Sequence, residues 1–301
     1  MNSEKLNKPR LILADIDGTL VNEPRDMLPL TRDILNYLHN EKNILFGIAS
    51  GRPCDELPSS VDGYHLDFEP DLLIGMNGGE IIDNIDHSEQ EIHPLEPEAI
   101  KDILDLMAPF DFANAIIYRD HQLVASWMDD LVELSCEHAH KTSRIVEDRS
   151  EFWSSPTGKI MFRTPNAELC RQIEEFAQAH PSLDYTAFRT QPTLLEFQDP
   201  RVNKGRALKN IAEKHHIPVE SIIGFGDASN DNEMLKDAGL GVCMINGLPD
   251  TKESADELTA YDNNHDGMVR YIIDRFPDLF KDYKKPIPEV AHDDLYLESW
   301  D

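Results

Sequence analysis

The feature that most constrains this chain is an apolar run that leads into two carboxylates, LILADIDGTLV at residues 11–21. The apolar part predicts a buried parallel strand whose carboxyl end opens into a polar loop, where open α/β sheets bind ligands. Because side chains alternate along a strand, Asp15 and Asp17 face one side and Ile16 faces the other. Two close carboxylates repel, and an oxygen-seeking divalent cation such as Mg²⁺, with a phosphate as co-ligand, relieves the repulsion. A strand followed by an ordinary Asp-Gly turn is the other interpretation.

Length and charge limit the classes of function. A chain of 301 residues with 40% hydrophobic residues can bury a large core, and we expect two domains. The formal charge of -29 argues against nucleic acid and anionic membranes as partners, because the long-range field repels polyanions. The same field repels phosphorylated metabolites, so a substrate of that class would need a bound cation and local basic groups.

Cysteine usage and hydropathy indicate the compartment. The four cysteines are far apart and form no CxxC pair, which favours buried thiols over a zinc site or disulfides. No apolar run approaches the roughly 18 residues that a membrane span needs, and no signal peptide is apparent. The sequence therefore predicts a cytoplasmic protein with no membrane partner, and it leaves the oligomeric state open.

Polar residues also follow the next two predicted strands. The apolar run 44–49 ends in Ser50-Gly51-Arg52, and the run 71–76 stops at Asn77-Gly78. A hydroxyl followed by glycine can offer an O–H and an unobstructed backbone N–H to an oxyanion, and Arg52 can reach a substrate group beyond it. Taken alone, each cluster also fits an ordinary loop.

The middle of the chain has a different pattern. Short strands surround two predicted helices, 97–107 and 166–180, which is typical of an inserted α+β domain. We therefore expect one domain from residues 1–83 and 200–280, and an inserted domain at 84–199. The acidic tail 281–301 is expected to be partly disordered or docked on its own domain.

Strand and helix alternate again after the insertion. Lys204 opens a predicted helix and so lies beside its N-terminus, although a lone lysine is commonly a solvated surface charge. The next apolar strand, 221–226, ends at Asp227, and Asn230 and Asp231 begin the helix that follows. An N-cap explains Asn230 and Asp231 but not Asp227, so this second acidic cluster predicts further metal ligands.

These motifs, in this order, resemble the haloacid dehalogenase (HAD) superfamily and, more narrowly, its Cof-type phosphatases with a C2B-type α/β cap. The resemblance implies an α/β protein with a Rossmann-like HAD core, a parallel sheet and an inserted α+β cap domain. A set of ordered motifs on consecutive strand ends is far more specific than any one of them. The chain departs from the family in having Ser50 where Thr is frequent, and Ile245 where Gly commonly precedes Asn246.

The resemblance also implies roles for individual residues. Asp15 would be the nucleophile that forms an aspartyl-phosphate, and Asp17 the general acid and base. The implied metal residues are Asp15, Asp17 through its backbone carbonyl, Asp227 and, in support, Asp231. The implied phosphate ligands are Ser50, Gly51, Lys204 and Asn230, and the implied substrate contacts are Arg52, Asn77 and Gly78.

The sequence thus predicts a Mg²⁺-dependent phosphatase acting on a small phosphorylated metabolite, with sugar phosphates as the expected class. One alternative is a phosphotransferase of the same superfamily, such as a sugar phosphomutase. Another is a non-catalytic binding or regulatory protein on the same fold. Nothing in the sequence names the substrate.

Overall fold

The structure is a computed structural model that describes residues 8–139 and 141–290. The described chain divides into two compact units. The first contains the residues up to Glu89 and from Asn203 onward, and the second spans Gln90–Val202. Their assignment as a HAD core and its cap stays a prediction.

Strands and helices are numbered in chain order within the described residues. The strands are β1 (Leu11–Ala14), β2 (Leu45–Ala49), β3 (Leu72–Gly75), β4 (Glu80–Asp83), β5 (Ser88–Glu91), β6 (Asn114–Arg119), β7 (Gln122–Ala125), β8 (Thr142–Ile145), β9 (Ile160–Arg163), β10 (Thr186–Gln191), β11 (Leu194–Gln198), β12 (Ile222–Gly226), β13 (Leu240–Cys243) and β14 (Glu257–Leu258). The α-helices are α1 (Pro29–Lys42), α2 (Leu57–Asp62), α3 (Pro97–Met107), α4 (Asp130–Ala139), α5 (Ala167–Gln178), α6 (Lys204–Lys214), α7 (Asn232–Asp237), α8 (Pro249–Ser254) and α9 (Gly267–Arg275).

The first unit is built on a sheet with the order β14-β13-β12-β1-β2-β3-β4-β5. The strands from β14 to β3 are parallel to their neighbours, and β4 runs antiparallel to β3. The last residue of β1, Ala14, lies between Phe225 of β12 and Ile48 of β2. Because β12, β1 and β2 are parallel, their carboxyl ends lie at one edge of the sheet. The strand order reverses at β1, and open α/β sheets bind ligands at such a point. This confirms the predicted α/β class with its parallel sheet.

Apolar strands and amphipathic helices form the core of this unit. All four residues of β1 are buried, as is typical of a parallel strand covered on both faces. On α1, Ile34, Leu35 and Leu38 recur at helical spacing and join the same buried cluster as Phe46 and Phe225. The edge where the carboxyl ends of β1, β2 and β12 meet is therefore formed by strands whose positions the packing fixes.

The second unit has a six-stranded sheet with the order β10-β11-β9-β6-β7-β8. Its pairs are antiparallel except β7 with β8. Residues of α3 and α5, such as Ile103 and Ile173, form one apolar cluster with the sheet. A third helix, α4, packs Val132 against Met161 in a smaller cluster. It begins at Asp130, in the acidic pair 129–130, as is typical of a helix start. The stripe that α4 buries is short, so its helical periodicity is weak in the sequence.

Part of the predicted tail docks on its own unit. The Tyr283 ring packs edge-on against Tyr37 with 4.9 Å between centroids, and Lys285 Nζ lies 2.9 Å from Asp33 Oδ1. Residues 291–301 of that tail lie outside the described residues. The four cysteines are buried free thiols, as predicted. Within the described ranges, no helix has both the length and the apolar character to cross a membrane.

Candidate active site

A buried lysine joins two of the predicted motifs. Lys204 is the first residue of α6 and is 0% exposed. Its Nζ lies 2.6 Å from Asp15 Oδ1 and 2.6 Å from Asp231 Oδ1, and so it donates to both carboxylates. The interpretation of Lys204 as a solvated surface charge is therefore wrong, because packing of α6 carries the ammonium into the site.

Asp227 follows β12 and faces the loop after β1. The Thr19 hydroxyl donates to Asp227 Oδ1 at 2.8 Å. Gly18 has a φ of +82°, and a Cβ there would lie 2.4 Å from Asp227 Oδ2. Only glycine satisfies both the backbone conformation and the close approach of this carboxylate.

Three carboxylates form a compact group of oxygen ligands. Asp15, Asp227 and Asp231 each offer an oxygen atom, and these atoms all lie within 4.8 Å of one another. Asp231 is also a brace, because its Oδ2 accepts the backbone N–H groups of Asp227 and Ala228 at 3.0 and 3.1 Å. This donor set fits a hard, oxygen-seeking divalent cation such as Mg²⁺.

The electrostatics of the site also favour a cation. Burial raises the pKa of Asp15 to about 7, against the opposing effect of Lys204. Burial, and then the negative charge of Asp15, raise the pKa of Asp227 well above its usual range. Burial alone would lower the pKa of Lys204, but Asp15 and Asp231 outweigh it and raise that pKa. One ammonium thus faces three carboxylates, and a divalent cation would balance the charge.

Asp17 faces a different set of charges. Arg52 Nη2 donates to both oxygens of Asp17, at 2.8 and 2.6 Å, and Arg25 Nε lies 3.3 Å from Asp17 Oδ1. The structure thus places Arg52 on Asp17, and a contact between Arg52 and substrate stays a prediction. The paired guanidinium groups hold this carboxylate in a defined orientation.

The other residues predicted for the site lie close to one another. Asn230 Nδ2 donates to Asn77 Oδ1 at 3.1 Å, and a Cβ on Gly51 would lie 3.1 Å from that same oxygen. Ser50 is buried, and its hydroxyl accepts the backbone N–H of Arg52 at 3.2 Å. Ser50, Gly51, Asn77 and Asn230 therefore belong to one neighbourhood, which Gly78 joins through its packing on Asn203.

Two residues of the site escaped prediction from the sequence. Thr19 adjoins the aspartate motif, and a hydroxyl two residues beyond Asp17 is a signal that could have assigned it to Asp227. Arg25 gave no such signal, because it lies in a loop. Its backbone there has a φ of 68°, and its contact with Asp17 depends on the path of that loop.

A family model described as haloacid dehalogenase-like hydrolase matches residues 12–272. The chain belongs to the haloacid dehalogenase-like hydrolases. The match covers both acidic strand ends, the lysine helix and the whole second unit. It confirms the resemblance that the ordered motifs indicated, and with it the prediction of an enzyme of the HAD-like phosphatase type.

Relatives and solved structures of HAD-like proteins agree with this family over nearly the whole chain. The chain is 25% identical over 272 residues to the 5-amino-6-(5-phospho-D-ribitylamino)uracil phosphatase YitU of Bacillus subtilis, covering 89% of this chain and 98% of that protein. It resembles a HAD-like hydrolase structure from Bacteroides thetaiotaomicron with a TM-score of 0.76 and 26% identity, covering 89% of this chain and 99% of the other. A sugar phosphatase of HAD subclass IIB shares the fold with a TM-score of 0.72 and 21% identity, covering 89% and 99%.

Proposed function

We propose that this chain is a Mg²⁺-dependent phosphatase that hydrolyses a small phosphorylated metabolite, with a sugar phosphate as the expected class. The observation that carries the proposal is the buried Lys204 ammonium, 2.6 Å from Asp15 and from Asp231 and beside the Asp227 carboxylate. A cation site and an ammonium around one carboxylate nucleophile are what phosphoryl transfer requires, since catalysis there is mostly positioning and charge stabilisation.

In the first step, an oxygen of Asp15 attacks phosphorus. The bond from phosphorus to the leaving-group oxygen breaks as the aspartyl-phosphate forms, and Asp17 supplies the proton that the leaving oxygen takes. Lys204 remains beside Asp15 and offers its ammonium to the phosphoryl oxygens. Ser50, the Gly51 amide and Asn230 are assigned to the same oxygens, because all three lie in one neighbourhood.

In the second step, water attacks the phosphorus of the aspartyl-phosphate. Asp17 now accepts the proton of that water, inorganic phosphate leaves, and Asp15 is regenerated as a carboxylate. Arg52 and Arg25 orient the Asp17 carboxylate while it is ionised. Bound at Asp15, Asp227, Asp231 and the Asp17 backbone carbonyl, Mg²⁺ would supply positive charge that keeps the carboxylates ionised and offsets charge on the transferring phosphoryl group.

Two observations support a small phosphorylated metabolite as the substrate. The relative from Bacillus subtilis is named as a phosphatase of a phosphoribitylamino compound, which is a small phosphate ester with a polyol chain. The formal charge of -29 disfavours polyanionic macromolecules as substrates, whereas a small ester needs only the local positive groups of the site.

A screen of phosphorylated metabolites with detection of released phosphate tests the proposal. We expect Mg²⁺-dependent phosphate release from one or a few sugar or polyol phosphates by the wild-type chain. Asp15→Asn removes the nucleophile but keeps the shape of the side chain, so it should lower the rate by about 10³-fold or more. The matched control is Asp26→Asn, which changes an exposed aspartate outside the site.

The outcomes separate the proposal from its alternatives. Transfer of the phosphoryl group to a second sugar hydroxyl without phosphate release would identify a phosphotransferase. Mg²⁺ binding with no turnover of any compound would identify a binding protein. Normal turnover by Asp15→Asn would contradict the assigned nucleophile.

A further inference from the structure

The loop after β3 has an unusual backbone. Met76, Asn77 and Gly78 have φ values of +48°, +56° and +103°, three consecutive residues in the left-handed region. Such a conformation is unfavourable for a non-glycine residue, and it persists where the surrounding structure holds it in place. Met76 and Asn77 are also buried, so neither side chain is left to solvent. The contacts of this loop must therefore stabilise its unfavourable backbone conformation.

The contacts of this loop lead to three of the groups assigned to phosphate. The Asn77 N–H donates to the carbonyl of Ser50 at 3.0 Å. Asn77 Oδ1 accepts from Asn230 Nδ2 at 3.1 Å. A Cβ on Gly78 would lie 2.6 Å from the carbonyl oxygen of Asn203, so the loop packs closely against the residue that precedes Lys204. A single strained loop therefore contacts Ser50, Asn230 and the start of the lysine helix.

We infer that Asn77 is a positioning residue that acts through Asn230, and that it does not contact the substrate itself. This inference rests on the proposed function. Asn77 is 2% exposed, and its side-chain oxygen, Oδ1, accepts the hydrogen bond from Asn230. A primary amide carries two N–H donors, and engaging one of them fixes the plane of the group. Asn77 thereby fixes the direction in which the Asn230 amide presents its second N–H to a phosphoryl oxygen.

The left-handed backbone explains why asparagine occupies position 77. Asn is among the few residues that adopt this region readily, and its short side chain can still offer an acceptor. Glycine would adopt the conformation at lower cost but would supply no acceptor. Asparagine satisfies both requirements, as expected if the acceptor has a function.

A double-mutant cycle tests the inference. The cycle uses wild type, Asn77→Ala, Asn230→Ala and the double variant, each assayed for kcat/KM on the best phosphate ester and for inhibition by inorganic phosphate. We expect Asn77→Ala to lower kcat/KM about 10-fold in the wild-type background and less than about 2-fold in the Asn230→Ala background, because coupled residues are strongly non-additive. The inhibition constant for inorganic phosphate should rise by a similar factor, and only when Asn230 is present.

Two further variants separate positioning from backbone strain. Asn77→Gly keeps the left-handed conformation accessible and removes only the acceptor, so it should reproduce the coupled loss even where Asn77→Ala fails to fold. Asn43→Ala is the matched control, because Asn43 also has a left-handed backbone, with a φ of 52°, at the exposed C-terminal end of α1. It should leave kcat/KM unchanged.

The results discriminate between this inference and the proposed function. Equal losses from Asn77→Gly in both backgrounds, with an active wild type, would overturn the inference and leave the phosphatase assignment standing. Unchanged activity in Asn77→Gly would overturn it as well. A wild-type chain that releases no phosphate from any ester would refute the proposed function, and the inference would fall with it.

Discussion

Among the described residues, each unit buries a lysine against carboxylate groups, and the two lysines differ in how their charge is matched. In the second unit, Lys159 Nζ lies 3.0 Å from both oxygens of Glu196, and both side chains are almost fully buried. In the first unit, Lys204 contacts Asp15 and Asp231, and Asp227 completes a group of three carboxylates. One pair is matched in charge, and the other cluster carries an excess of negative charge.

The difference separates a structural ion pair from a site prepared for a ligand. A buried pair of opposite charges with both oxygens bonded is satisfied within the protein. Three carboxylates around one ammonium are not. Burial first, and the neighbouring Asp231 carboxylate in addition, raise the pKa of Asp15 to about 7 against the effect of Lys204. Clusters whose charges the protein leaves unmatched are therefore better candidates for function than buried charge alone.

Converting one carboxylate of each cluster to its amide tests whether the two clusters differ in this way. Glu196→Gln removes the carboxylate that pairs with the buried Lys159 and should lower the free energy of unfolding by about 3–5 kcal/mol. Asp15→Asn removes a carboxylate from a cluster with excess negative charge, and Lys204 keeps Asp231, so without metal the change should leave the free energy of unfolding unchanged or raise it. Urea unfolding in EDTA measures both, with fluorescence of Trp127 and Trp153 reporting on the second unit.

Replacing both members of the matched pair is the control for this measurement. The double variant Lys159→Met with Glu196→Leu removes both charges and should be close to neutral or more stable, because no uncompensated charge remains. Losses of equal size in Glu196→Gln and Asp15→Asn would contradict the distinction between the two clusters.

Metal binding provides a second test of the difference between the two clusters. Mg²⁺ at 100 times its dissociation constant should stabilise the wild-type chain by about 2.7 kcal/mol, since it binds the folded state. Asp227→Asn removes an oxygen ligand and should abolish most of this gain. Glu196→Gln is expected to keep the whole increment despite its lower starting stability. Thermal unfolding with and without Mg²⁺ checks this, and an increment that survives in Asp227→Asn would place the cation elsewhere.

Expressed per pH unit, the pH dependence without metal is the smallest of the expected effects. The folded state raises the pKa of Asp15 from 3.8 to about 7, so it holds this proton over a range where the unfolded chain has lost it. The resulting stabilisation is complete below pH 3.8 and is lost as the pH rises through about 7. Asp15 should contribute a fall in stability in EDTA of at most about 1.4 kcal/mol per pH unit over this range, and Asp227, whose pKa burial also raises, adds to it. Asp15→Asn should flatten the slope in urea titrations, and an unchanged slope would exclude Asp15 as its source.

Most of the site-bearing strands could be predicted because buried parallel strands are continuous apolar runs. The predicted runs 44–49, 71–76 and 221–226 end within one residue of β2, β3 and β12. The helix predicted at 97–107 matches α3, whose apolar residues repeat regularly. The strands β8 and β10 escaped prediction because they are sheet edges whose residues are partly or fully exposed, which leaves no apolar pattern.

The site residues also divide into those that local patterns indicated and those that depend on contacts between distant segments. Asp15 and Asp227 could be assigned to one edge of the sheet from the sequence, since each follows a buried strand, whereas Lys204 was placed there only by the resemblance to the family. The shared contact of Lys204 with Asp15 and Asp231 could not be seen, because residues 15 and 204 lie far apart in the chain. Arg25 was missed for a related reason, since its approach to Asp17 depends on the path of a loop.

The sequence by itself determined the order of apolar strands, the polar residues at their ends and the acidic excess of the chain, because these depend on local patterns and on composition. Only the tertiary structure decided which ends meet, that Lys204 is buried between Asp15 and Asp231, and that Asn77 reaches Asn230. The physical reason is that strand pairing and loop path bring distant residues together, and no local pattern encodes a distance between two segments.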